Sequence, residues 1–237
     1  MLSSFFERLY NAATELNRRN ILDLVSDREY HALCDLGCDD GDWTMNVAAR
    51  SRASEIHGVE IVSERAQLAA KRGVRAQVAD LESPFPFADE SFDLVHANQV
   101  IEHIGNLDHF LAEIYRVLKV GGTAIISTEN GSSWHNIFAA VMGWQIFSLT
   151  NVSPLRQGIG NPLAIHRGAR LELTSWTHKT IFNYRGLLEI LELHGMRVVQ
   201  SRGAGYYPLP AVIGRFDPRR SHFITMKAIK TSVSGPR

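Results

Sequence analysis

Cysteine is scarce in this chain. Cys34 and Cys38 are its only two among 237 residues, and no C-x-x-C spacing occurs. Neither a disulfide framework nor a zinc site is indicated, and a cytoplasmic compartment is the simplest reading. Excess charge of either sign is also missing: 25 basic residues balance 25 acidic ones. A protein that grips a nucleic-acid backbone needs a basic surplus, so no nucleic-acid partner is expected. No run of 18 apolar residues exists, which excludes a membrane-spanning helix. The opening MLSSFFERLYNAATELNRRN has no continuous apolar core and is not expected to act as a signal peptide. Gly-x-Gly-x-x-Gly, the dinucleotide fingerprint, is absent as well. What remains is ordinary: 45% hydrophobic and 21% charged residues, the balance of a globular protein. The length favours one domain with insertions.

The stretch ALCDLGCDDGD, residues 32–42, organises the rest. It reads as a buried strand (residues 32–36), a turn opened by Gly37 and closed by Gly41, and a helix starting near Asp42. Two glycines allow backbone angles closed to other residues and let a ligand lie against bare backbone. Free N–H groups at the helix start lie behind them. Strand, turn and helix together form the ligand crevice of an open α/β sheet. Asp35, Asp39, Asp40 and Asp42 make the loop acidic. Four carboxylates would repel a pyrophosphate, so a ligand carrying positive charge and hydroxyls is expected.

DLGCDDG resembles the first motif of class I S-adenosylmethionine-dependent methyltransferases, with Asp39 where the family usually has its middle glycine. Asp tolerates left-handed angles better than most residues, so the turn survives. A second motif, Asp80-Leu81 with PFPFADESFDLV, follows in the right order about 40 residues on. Residues 55–61, EIHGVEI, read as a strand ending at Glu60, 23 residues after Gly37, the distance at which a carboxylate reaches ribose hydroxyls. A strand over residues 74–79 ends at Asp80-Leu81, and PFPFADESFDLV leads into a fourth strand at 92–97. LKVGGTAIIST closely matches the family's run into its fifth strand.

The resemblance implies a cofactor wall of Asp35, Gly37, Cys38, Asp39, Gly41, Glu60, Ile61, Asp80, Leu81 and Asn98. It places Asp80 at the adenine amino group and Leu81 N–H at the ring. In NQVIEHI, Glu102 and His103 then sit near the transferring methyl, and His103, as a neutral imidazole, is the candidate catalytic base. No metal is expected.

The remaining elements frame this core. Residues 4–25 carry Phe5, Phe6, Leu9, Ala13, Leu16 and Leu24 at helical spacing. Helices are expected over 42–50, 63–72 with Ser63 as N-cap, 107–119 stopped by Gly121-Gly122, and 184–194. In the 107–119 helix, Asp108, Glu113 and Arg116 fall on the wet face. The fifth strand is expected at 123–128, the sixth at 196–200 and the last at 222–230, with residues 231–237 disordered. Residues 132–149 form an aromatic helical run, and 150–180 an irregular stretch of the kind that covers a site. That insertion supplies Trp134, His135, Trp144, His166 and His178; Trp134, His135 and His178 are the candidate acceptor contacts.

The expected fold is a single α/β domain, 1–237, with a seven-stranded, mostly parallel, Rossmann-like sheet, helices on both faces and the last strand antiparallel. Within it, 1–28 is a helical segment, 30–130 the cofactor core, 131–180 the cap, and 181–230 the C-terminal half of the sheet. The expected activity is methyl transfer from S-adenosylmethionine to a nucleophile, by preference the hydroxyl oxygen of a small-molecule or glycan- or lipid-type acceptor. The chain is expected to be a monomer or homodimer. The alternatives are an S-adenosylmethionine-binding regulatory protein without activity and, less well supported, a dinucleotide-dependent oxidoreductase.

Overall fold

The computed structural model describes residues 2–232, with side chains from Phe5 onward. Residues 233–237 of the tail read as disordered lie outside the described residues. Thr231, which belongs to that tail, is tied down: its N–H donates to Gly195 O at 3.1 Å.

One seven-stranded sheet runs β3-β2-β1-β4-β5-β7-β6. Its members are β1 (Ala32–Leu36), β2 (Glu55–Glu60), β3 (Arg75–Val78), β4 (Phe92–Asn98), β5 (Leu118–Glu129), β6 (Met196–Ala204) and β7 (Phe223–Lys230). The first five pair in parallel, and β7 runs antiparallel to both β5 and β6. The helices are α1 (Leu2–Val25), α2 (Asp42–Ser51), α3 (Ser63–Lys71), α4 (Leu107–Val117), α5 (Trp134–Val141) and α6 (Tyr184–Leu193). No described helix is long and apolar enough to cross a membrane.

The central strands are covered on both faces, which is why they read as nearly continuous apolar runs. On one face Leu36, Val95, Ala97 and Ile126 pack against Phe110, Leu111 and Ile114 of α4. On the other, Leu33, Leu94 and Ile125 meet Ile21, Leu24 and Val25 of α1 and Val47 of α2. The helix α1 also buries two amides. Asn17 Nδ2 donates to Ser127 Oγ at 2.9 Å and to Asn98 Oδ1 at 3.2 Å, and Asn20 Nδ2 donates to Gly203 O at 3.1 Å. Buried amides must be hydrogen-bonded, so they fix the register of α1 on the sheet; an apolar-periodicity count passes over them.

Several boundaries differ from the sequence reading. The fifth strand starts at Leu118 and includes Gly121 and Gly122, because the Phe92↔Leu118 pairing extends the ladder past an irregularity in β5, where the five steps from Leu118 to Thr123 match two from Phe92 to Leu94. Ser63 is the first helical residue, not the cap; Val62 N–H is instead taken by the Glu60 carboxylate at 2.9 Å. Glu113 is buried, not wet: Arg116 Nε donates to it at 2.7 Å and Phe85 N–H at 2.6 Å. The sixth strand continues to Ala204. The aromatic run is helical only over α5, followed by a 3-10 turn at Phe147–Leu149.

This topology fixes where a site can be. The sheet reverses its order between β1 and β4, and the carboxyl ends of β1, β2, β3, β4 and β5 deliver Gly37, Glu60, Asp80, Asn98 and Glu129 to one edge. Because β7 is antiparallel, its N-terminal end brings His222 and Phe223 to that same edge.

Candidate active site

Two adjoining cavities open at this edge. The larger, about 750 Å³, spreads over the ends of β1 to β4 and is lined by Gly37, Asp39, Glu60, Ile61, Asp80 and Leu81, with Asn98 further in. Its floor is the glycine turn. Gly37 has φ 73°, and a Cβ there would lie 2.8 Å from Val100 Cγ2, so only glycine lets the chain pass. Gly37 and Cys38 N–H both donate to Val59 O, at 2.8 and 3.0 Å, locking the turn to β2. Asp39 adopts φ 50°, the left-handed conformation that Asp was expected to tolerate. Its N–H donates to Glu60 Oε2 at 3.1 Å. Glu60 therefore shapes the loop with one lone pair on each oxygen and keeps the others for a ligand.

Three residues expected on the cofactor wall do not face it. Asp35 is buried on the other side of β1, where its register partner His96 meets it at 2.6 Å and Thr44 Oγ1 donates to it at 2.5 Å. Cys38 turns its sulfur into a small core with Ala69 and Val74, and burial pushes its thiol pKa up, so it stays protonated and unreactive. Gly41 lies under α3, where a Cβ would come within 2.8 Å of Ala69 Cα; it serves packing. The acidity of the loop is also largely neutralised. Asp39 is paired with Arg65, and Asp40 with Arg72 at 3.2 Å. Charge repulsion therefore excludes a pyrophosphate less firmly than four free carboxylates would.

Residues 150–180 contribute a roof that no motif revealed. Trp176 and Lys179 line the larger cavity. The Arg65 guanidinium stacks 5.4 Å from the Trp176 ring centroid, and Lys179 Nζ bonds Glu82 at 2.5 Å. Lys179 and Thr180 N–H donate to Glu102 O at 2.8 and 3.1 Å.

The smaller cavity, about 310 Å³, lies beside the first, and Gln99 and His103 line both. Phe6, Leu9, Phe147 and Leu163 give it an apolar side. Its other side is polar: Glu102, Glu129, His135, His178, Tyr207 and His222. Three fully buried atoms facing this region have no hydrogen-bond partner: Gln99 Nε2, Glu102 Oε1 and His135 Nε2. Orphaned buried polar atoms are costly, and a ligand with hydroxyls or amines would satisfy them.

Protonation states follow from burial. His103 Nδ1 bonds Thr177 O at 3.0 Å, and since a carbonyl only accepts, the proton sits on Nδ1 and Nε2 keeps a lone pair. Burial lowers the His103 pKa to about 4, so the ring is neutral at pH 7. His178 Nδ1 likewise bonds a backbone carbonyl, Ser148 O, at 2.6 Å. Burial raises the Glu102 carboxyl to about 8, with Thr128 Oγ1 donating to its other oxygen at 2.9 Å. Burial also opposes ionisation of Glu129, but the His222 ring, its Nε2 3.8 Å from Glu129 Oε1, with help from His178, outweighs it and holds Glu129 well below the usual carboxylate range. Ligand atoms of Glu102, His103 and His178 lie within 4.8 Å of one another, the one grouping among the described residues with the spacing of a metal site.

Of the three expected acceptor contacts, His135 and His178 line the smaller cavity and Trp134 does not. The helix α5 turns His135, Asn136 and Ala139 inward, so Trp134 points out, with the Arg220 guanidinium 5.4 Å over its ring. The sequence reading missed Glu129 and His222 as cavity residues. Their signal was positional: each stands where a strand meets the ligand edge.

Residues 34–126 match a family model described as a methyltransferase domain. Over that stretch the chain is similar to a methyltransferase domain, in agreement with the resemblance carried by its DLGCDDG and Asp80-Leu81 motifs. S-adenosylmethionine is the cofactor of the methyltransferases that the chain resembles, and the glycine turn, Glu60 and the Asp80-Leu81 strand end line one cavity. The chain is 28% identical over 172 residues to the malonyl-[acyl-carrier protein] O-methyltransferase of Erwinia billingiae, covering 70% of this chain and 64% of that one. It is 31% identical over 123 residues to the rat mitochondrial ubiquinone biosynthesis O-methyltransferase, covering 48% of this chain and 35% of that one. Thus the chain spans about two-thirds and one-third of the lengths of these relatives. An S-adenosylmethionine-dependent methyltransferase of Thermotoga maritima shares the fold, with a TM-score of 0.59 at 20% identity over 98% of this chain and all of that one.

Proposed function

We propose that this methyltransferase moves the methyl group of S-adenosylmethionine to a hydroxyl oxygen of a small molecule, or of a glycan- or lipid-type acceptor, held in the smaller cavity. One observation carries the reading: His103, neutral and with Nε2 free, lines both cavities. S-adenosylmethionine supplies a sulfonium methyl with an excellent leaving group. The chain's own task is to align the acceptor, exclude water and receive a proton.

In this reading Gly37, Asp39, Glu60, Ile61, Asp80, Leu81 and Asn98 hold the cofactor. Glu60 accepts from the ribose hydroxyls and Asp80 from the adenine amino group. Gln99, Glu102 and His135 orient the acceptor through their unpaired atoms. His103 takes the hydroxyl proton at Nε2. An imidazole with a pKa near 4 is a weak base, so the proton moves as the new C–O bond forms and not before. Support for oxygen as acceptor also comes from the two relatives named above, both O-methyltransferases by name. The test is a screen of hydroxylated and aminated metabolites with methyl-labelled S-adenosylmethionine, read by mass. Label in an O-methyl ether or ester supports the reading; label confined to amines or carbon acceptors refutes it.

A further inference from the structure

The solvent face of α5 has inverted polarity. Its inward residues include His135 in the cavity and buried Asn136, whereas Trp134, Phe138, Val141 and the adjoining Met142 face out, Val141 with 80% of its surface exposed. A surface helix ordinarily buries its apolar side. The patch continues into residues 150–173: Gln145 N–H donates to Gly160 O at 3.1 Å, and Leu155, Ile159 and Leu163 are exposed beyond it. An apolar area this extended on a protein surface marks an interaction site.

The charge around the patch selects the occupant. Residues 132–173 hold Arg156, Arg167 and Arg170 but a single acid, Glu172. All three arginines are exposed, and among the described residues none forms an ion pair within 4 Å. At the other end Arg220 lies over Trp134. Exposed aromatic and aliphatic side chains among unpaired arginines are the pattern of a helix that lies in a lipid headgroup layer. Leu163 is part of the exposed patch and also lines the smaller cavity, as do Gln157 and Gly158. The patch is therefore the outer surface of the cavity roof.

We infer that the outer face of α5 and the segment 150–173 dock the protein on an anionic lipid bilayer, setting the smaller cavity against the membrane surface. The inference does not depend on the acceptor atom being oxygen. Arginine contacts attract the anionic headgroups, and Phe138, Val141, Met142 and Leu155 enter the boundary layer.

The test is co-sedimentation of the intact chain with vesicles of phosphatidylcholine alone and of phosphatidylcholine mixed equally with phosphatidylglycerol. The wild type should partition to the mixed vesicles and be released by added salt. Phe138→Ser with Val141→Ser should lower that partition by roughly tenfold or more. Arg156→Gln with Arg170→Gln should also lower it by roughly tenfold or more and shrink the difference between the two vesicle types. Val141, Arg156 and Arg170 are exposed, so the arginine changes should leave the thermal midpoint in place, and Phe138, half exposed against Trp144, should lower it only slightly. Wild type left in the supernatant with both vesicles would overturn the inference. So would equal binding by wild type and variants. Light scattering that shows a dimer broken by the Phe138 and Val141 changes, without vesicle binding, would assign the patch to a second copy instead.

Discussion

Replacing Glu102 with glutamine tests the electrostatics of the cavity without touching its shape. Glu102 is fully buried, and burial holds its carboxyl at about 8 against an ordinary 4.5, with Glu129 adding to the rise. The folded state thus prefers the protonated form. Below about pH 4 both folded and unfolded chains are protonated, and the site costs nothing. As pH climbs from 4.5 toward 8, the unfolded chain ionises freely while the folded one resists, so stability is lost across that window. At 1.36 kcal/mol per pH unit, the loss is about 1 kcal/mol at pH 5, about 3 at pH 7 and about 5 above pH 8. Glutamine keeps an acceptor for Thr128 Oγ1 and never ionises. The variant should therefore gain on the wild type as pH rises, by roughly 6–12 °C in melting midpoint at pH 7 if a chain of this size shifts about 2–4 °C per kcal/mol. Melting curves of both proteins at pH 5, 7 and 8.5 supply the check. Parallel curves for the two would show that Glu102 titrates as an ordinary carboxylate and that burial does not set its protonation as described above.

Glu60→Ala should weaken S-adenosylhomocysteine binding by about 1.5–3 kcal/mol in calorimetry, through lost charge-assisted bonds and a loosened Asp39 turn; unchanged affinity would remove Glu60 from the ribose site. Asp80→Ala should shrink the thermal shift induced by S-adenosylhomocysteine while leaving the ligand-free midpoint in place, because Asp80 is exposed. His103→Ala should lower turnover by about 10²–10⁴-fold with cofactor affinity intact, and a chelator should leave wild-type turnover unchanged; loss on chelation with rescue by a divalent cation would assign Glu102, His103 and His178 to a metal instead. Trypsin should cut residues 148–179 less when S-adenosylhomocysteine is added, since Trp176 and Lys179 roof its cavity; equal cutting would make the segment a fixed wall.

The parallel core was legible because each strand ends in a residue whose chemistry is local: a glycine turn after β1, an acid after β2, an acid after β3. Periodicity and turn signals are near-neighbour properties, and residues 30–130 hold most of theirs within such reach. Side-chain direction is not a local property. Asp35 looked like a ligand group because of its motif, yet the pleat of β1 aims it at His96 and Thr44 on the far side. Trp134 looked like an acceptor contact because it is aromatic, yet one step of the helix turns His135 inward and Trp134 out. The acidic loop looked uncompensated because Arg65 and Arg72, which neutralise Asp39 and Asp40, come from α3 and its C-terminal end, beyond the second strand. His222 joins the site from 119 residues beyond His103, through an antiparallel pairing that no short-range pattern encodes.

A crystal structure of the chain with S-adenosylhomocysteine tests the central claim most directly. The account predicts the adenine against Asp80 and Leu81, the ribose hydroxyls on the Glu60 carboxylate, and the sulfur turned toward the smaller cavity with His103 Nε2 facing the vacant side. A nucleoside lying across Glu102, His135 and His222, or one that leaves Glu60 untouched, would contradict it.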